Sequence, residues 1–160
     1  MNGAFEALLD SWDRNNVILI NLLRALTPGA LAANAMEGSK SFGEMFVHIH
    51  FTRLYFISQC APEFSTAKPD NRSVDQDNAG QIAHLLNESA KLVRDAVKSR
   101  VERGQQMEVL YDHPILMIQH LIWHDAYHHG QMKLALKLAG HPLDDEEIGP
   151  VTWDVWMDKH

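Results

Sequence analysis

The sequence predicts an all-α protein built as a four-helix bundle. Four segments carry apolar residues at three- and four-residue steps, the mark of one buried helix face. No segment shows the two-residue alternation of a half-buried strand. Residues that start or stop helices stand at the segment ends, and four amphipathic helices bury their stripes by packing together.

The first helix spans roughly Gly3 to Leu26, with Phe5, Leu8, Leu9, Trp12, Leu19, Leu22, Leu23 and Leu26 on one face. Thr27-Pro28-Gly29 ends it. The second runs from about Phe42 to Gln59. Ser41 and Glu44 form a capping-box pattern at its start, and Pro62 lies beyond its end. Residues 60 to 73 read as a polar linker carrying Pro62 and Pro69. The third helix is expected from Val74 to Arg103, with Ser73 as its cap and Gly104 as its stop. The stretch from Gln105 to Tyr111 is short and reads as extended chain. The fourth helix begins at Pro114, capped by Asp112 or His113, and stops near Ala139 before Gly140 and Pro142. Trp153 and Trp156 in the tail are expected to fold back over the bundle, since large aromatic surfaces favour burial.

A chain of 160 residues is expected to form one domain, with a core sufficient to fold without disulfides. The apolar share of 46% fits a globular chain. The net charge of −7 argues against a nucleic-acid partner, which would require a basic patch. No apolar run reaches the roughly 18 residues expected of a membrane span, and no signal-peptide pattern opens the chain. The one cysteine, Cys60, reads as a helix-end residue and fits a reducing cytoplasm.

Histidine is the anomaly. Of ten in the chain, His113, His120, His124, His128 and His129 crowd one short segment. Four residues turn a helix through about 400°, so His124 and His128 leave the fourth helix from nearly the same face. Their ring nitrogens can converge on one ion, and neutral imidazole suits zinc, nickel, copper or iron. Helix two offers His48 and His50 as further ligands, on sides about 200° apart. The midpoint of His124 and His128 is roughly 18 Å from the start of helix four, and His48 is roughly 17 Å from the end of helix two. Antiparallel helices with flush ends therefore place His48 level with the pair. That arrangement requires the second-to-third linker to cross the bundle. Its 14 or so residues reach roughly 45 Å, and helix two is only about 27 Å long.

The segment His124-Asp125-Ala126-Tyr127-His128-His129-Gly130-Gln131-Met132 resembles the signature of the DinB-like family of DNA-damage-inducible bundle proteins. That signature reads His-x-x-x-His, then a basic residue and Gly-Gln. His129 stands where Arg is frequent. The stretch from Ser41 to Ile49 resembles the family's Glu-x-x-x-His pattern through Glu44 and His48. The resemblance implies His48, His124 and His128 as the metal ligands. It also implies a four-helix bundle with a long crossover between helices two and three, here one domain over residues 1–160, and a homodimer. Relatives include thiol-dependent transferases and isomerases.

Three neutral histidines leave an ion its full charge and open coordination positions, as in catalytic rather than structural sites. Such an ion, zinc or nickel, can acidify water or take a thiolate or carbonyl. The expected function is thus a divalent-metal-binding protein acting on a small molecule. It would be an enzyme of the thiol-dependent transferase or hydrolase type, with a low-molecular-weight thiol as co-substrate. The alternative is a non-catalytic, metal-bound stress or interaction protein. A zincin-like reading of His124-Asp125-Ala126-Tyr127-His128 is weaker, because Asp is a methylene shorter than the usual Glu. Glu44 reads first as the capping residue. Asp125 reads as a solvated charge, and Trp123 and Phe51 as packing residues. His120 is a lesser candidate ligand, and His50 and His129 stand outside the ligand set. Metal binding is expected to weaken below about pH 6, where imidazole takes up a proton.

Overall fold

The structure, a computed structural model, describes residues 3–65 and 74–159. Its long helices are α1 (Gly3–Arg24), α2 (Phe42–Cys60), α3 (Ala79–Glu102) and α4 (Pro114–Leu138), followed by a one-turn α5 (Asp145–Ile148). The described residues form no strand. The stretch from Gln105 to Tyr111 is irregular, pinned by the Glu108 N–H donating to the Cys60 carbonyl at 3.0 Å.

Local chemistry sets the helix ends. Ser41 accepts from the Glu44 N–H at 3.2 Å, and Glu44 accepts from the Ser41 N–H at 2.7 Å, closing the expected capping box. His113 caps α4, and Pro114 fills its first turn, where an N–H has no helical partner to lose. The third helix starts later than its apolar pattern suggests. Asn78 is the cap, accepting from the Gln81 N–H at 3.0 Å, and Ser73 lies outside the described residues. Residues 74–78 instead form turns over α2. Gly43 lets them approach, since a Cβ there would stand 1.9 Å from the Gln76 carbonyl oxygen.

Two apolar clusters fix the helix directions. One joins Leu19 and Leu23 near the end of α1, Phe42 and Phe46 at the start of α2, Ile82 and Leu86 at the start of α3, and Met132 and Leu136 near the end of α4. The other joins Leu9 and Trp12, Ile57 and Cys60, Val93 and Val97, and Met117 and Leu121. Hence α1 and α4 run one way, α2 and α3 the other. The bundle is up-down-down-up, and the connection from α2 to α3 crosses its length, as expected.

Between the clusters lies a polar layer that every long helix supplies. Arg53 and Asp125, both fully buried, pair at 2.7 Å. Arg53 also donates to the Asn16 side chain at 2.9 Å and the Leu86 carbonyl at 3.0 Å, and its guanidinium lies 4.8 Å from the centre of the Trp12 ring. Asn15 donates to Asp125 at 2.9 Å. The Trp12 indole N–H donates to the Ala90 carbonyl at 2.8 Å. Burial of so much polarity is tolerable because most of these groups satisfy one another, with Arg53 Nε left unpartnered.

The tail does not cover itself with its tryptophans. Ile148 and Thr152 are buried, and Asn21 on α1 donates to the Val151 carbonyl at 2.7 Å. Trp153 is 75% exposed and Trp156 43%, so the expected burial of these rings is not what the structure shows. Ile148 and backbone contacts hold the segment instead.

Candidate metal centre

His48 stands in the second turn of α2, and His124 and His128 on successive turns of α4. Because α2 and α4 are antiparallel, the three come level. One nitrogen from each lies within 4.8 Å of the others. The ring centroids of His124 and His128 are 4.5 Å apart, and His48 lies 4.9 Å from His128 and 5.6 Å from His124.

The chemistry of this donor set fits a divalent ion. Burial, then the nearby Lys40 charge and the other two imidazoles, lowers His48 to about 4. Burial and His124 lower His128, while Gln131 partly opposes the shift. Both rings are therefore neutral near pH 7, the form that binds metal. His128 Nδ1 is buried and has no hydrogen-bond partner in the protein. His124 turns its Nδ1 toward Asp125 Oδ1 at 3.3 Å. A carboxylate only accepts, so the proton sits on Nδ1 and Nε2 keeps its lone pair for a ligand.

Asp125 was expected in solvent. It is fully buried, with Arg53 and Asn15 holding one oxygen and His124 near the other. The correction has a legible cause. Ile118, Leu121, Asp125, Met132 and Leu136 share the buried register of α4, and Ile49, Arg53 and Ile57 share that of α2. A charge of each sign in a core register was the signal. This also removes the zincin-like reading, since Asp125 is tied to Arg53 rather than free to act as a base.

The remaining histidines stand apart from the cluster. His50 donates through Nδ1 to the Leu85 carbonyl at 2.8 Å, and burial lowers its pKa. His120 lies outside the cluster, with its Nδ1 2.7 Å from the Tyr111 hydroxyl. His129 points away, lining a cavity of about 750 Å³ between α1, α4 and the tail that includes Trp153 and Trp156. Glu44 is committed to its capping box. Phe51 packs against the core, but Trp123 does not: it is 65% exposed, stacked at 5.8 Å on the half-exposed Tyr127. Tyr127 in turn sets its ring 5.3 Å from His128.

A cavity of about 360 Å³ opens on His48 and His128, with Lys40, Gln131, Met36, Met45, Leu134 and Leu138 among its walls. Lys40 went unnoticed as a site residue in the sequence, because it carries no spacing signal, whereas Gln131 lies in the signature segment just after His128. His48 and His128 line this cavity and His124 stands behind them, so an ion held by the three would have an opening beside it for a small molecule.

No curated protein and no solved structure matches the chain. A family model described as the DinB family matches residues 1–145, which take in all three histidines. The chain belongs to the DinB family.

Proposed function

We propose that His48, His124 and His128 bind one zinc or nickel ion, and that this ion is the centre of an enzyme acting on a small molecule. The observation that carries the reading is the convergence of three imidazole nitrogens within 4.8 Å beside an open cavity. A structural zinc site closes its shell with four protein ligands, and here the described residues offer three. Bound there, the ion would supply Lewis acidity beside an open cavity. The protein's own groups do the rest. Asp125 fixes the ring of His124, Gln131 stands beside His128, and the cavity walls exclude water from one side of a substrate.

Transfer to or from a low-molecular-weight thiol, or hydrolysis, are the reactions this arrangement serves. Besides the histidines the lining offers no carboxylate base, and the hydroxyl of Ser39 is engaged with the Met36 carbonyl at 2.8 Å, which favours a reaction driven by the ion. A panel of thiols with electrophilic substrates, assayed on metal-loaded protein, tests this. Turnover that requires metal and disappears in His48→Ala supports the enzyme. Metal retained with no turnover across the panel favours the alternative, a metal-bound stress or interaction protein.

The reading extends to setting and assembly. The buried free thiol of Cys60 suits the cytoplasm, and no described helix is long and apolar enough to cross a membrane. Leu116, Trp123 and Tyr127 lie exposed along one face of α4, an apolar strip suited to a homodimer contact. Sedimentation of the wild type and Trp123→Glu tests it, with a shift to monomer expected in the variant.

A further inference from the structure

We infer that the cavity beside the three histidines selects an organic anion with an apolar tail, its carboxylate directed at the ion and Lys40 and its tail lying along Met36, Leu134 and Leu138. This rests on the metal-binding reading above and names the substrate class of that site.

Charge carries the first part. The chain holds 21 acidic and 14 basic residues, yet no carboxylate lines this cavity and its one charged side chain is Lys40. Lys40 takes part in none of the ion pairs among the described residues. It lies close enough to the site that its charge depresses both His48 and His128. The carboxylate that reaches the imidazoles, Asp125, is already balanced by Arg53 at 2.7 Å. A divalent ion on three neutral rings would therefore stand beside a second uncompensated positive charge. The two repel, and the arrangement is relieved by an anion placed between them.

Shape and hydropathy carry the second part. The apolar part of the lining is Ala35, Met36, Met45, Leu134, Ala135 and Leu138. Met36, Leu134 and Leu138 are 66%, 63% and 65% exposed, so they leave apolar surface in water at the mouth of the cavity. A volume of about 360 Å³ is that of a small-molecule site, at the lower end of its usual range. A ligand with an anionic head and an apolar tail satisfies the charges at the floor and covers the side chains at the mouth. An uncharged hydrophobe or a short polar anion satisfies only one.

The test uses the full chain loaded with zinc, with octanoate, acetate and octanol as probes in titration calorimetry. Octanoate is expected to bind at least about tenfold more tightly than acetate, because tail methylenes leave water, and more tightly than octanol. Lys40→Gln should weaken octanoate by roughly threefold to fivefold, the scale of an exposed charge contact, with zinc stoichiometry unchanged. Lys40→Arg should restore it. Leu134→Ser, at an exposed position that folding does not depend on, should shrink the octanoate preference over acetate. Zinc bound with equal affinity for octanoate and acetate, or octanoate binding indifferent to Lys40→Gln, overturns the inference and leaves the metal site standing. Failure to take up zinc at all overturns the metal site itself, and the inference with it.

Discussion

Arg53 on α2 and Asp125 on α4, 72 residues apart, meet at 2.7 Å with neither side chain exposed to solvent. The pair sits where the two apolar clusters part, and Asp125 also reaches His124 of the three-histidine cluster. A buried pair of this kind costs desolvation, and its gain comes from the hydrogen bonds that complete it. Its removal one partner at a time leaves a buried charge.

Asp125→Asn should therefore destabilise the fold by about 3–5 kcal/mol, since Arg53 remains charged. Urea unfolding measures it. The double variant Arg53→Met with Asp125→Leu should recover most of that loss. In the metal-loaded protein, Asp125→Asn should also lower metal affinity by roughly tenfold to a hundredfold, as loss of a ligand-orienting carboxylate does. Wild-type affinity in Asp125→Asn would detach the buried pair from the site.

Acid should weaken the metal-free fold. His48 falls to about 4, and burial also lowers His50, His128 and His129. In the unfolded chain these groups protonate near 6.5. Between those values the unfolded state binds more protons than the folded state, so stability rises with pH there. Stability from these groups should be complete above about 6.5 and drain away as pH falls toward 4. Urea midpoints between pH 4 and 8 measure this, and His48→Gln should flatten the slope. The same shift means that His48 meets proton competition for metal only near 4, lower than the pH of about 6 expected for unperturbed imidazole.

Ser41→Ala removes the cap of α2 and should cost about 1 kcal/mol. Glu44→Gln keeps a capping side chain and should cost less. Neither should change metal stoichiometry, because Glu44 is engaged with the Ser41 N–H at 2.7 Å. Loss of metal in Glu44→Gln with the fold intact would show Glu44 to be a ligand.

Gly43→Ala should be more damaging than its position on a helix suggests. The added methyl would meet the Gln76 carbonyl at 1.9 Å, and backbone cannot yield as a flexible side chain would. A loss of about 1–3 kcal/mol is expected in thermal or urea melts, the usual cost of overpacking. Gly130→Ala, where a Cβ meets nothing within 4 Å, serves as the control.

The helices and the histidine cluster were legible because they rest on short-range rules. Ser41, Glu44, Pro114 and Gly140 act within a few residues, and a spacing of four brings His124 and His128 together on any helix. His48 was harder, since its place depends on α2 opposing α4. Linker length permitted that and the family motif supported it. Asp125 was misread because a charge looks solvated until its partner is known, and Arg53 comes from another helix. Trp153 and Trp156 were misread for the opposite reason. Apolar surface favours burial, but the tail anchors through Ile148 and Thr152, and nothing in the rings' own spacing reveals that.

Metal content of untagged protein, measured by plasma mass spectrometry alongside His→Ala variants, tests the central claim most directly. One zinc or nickel ion per chain is expected in the wild type, lost in His48→Ala, His124→Ala and His128→Ala and kept in His50→Ala, His120→Ala and His129→Ala. A wild type that retains no stoichiometric metal after loading, or a folded His48→Ala that retains it fully, would contradict the account.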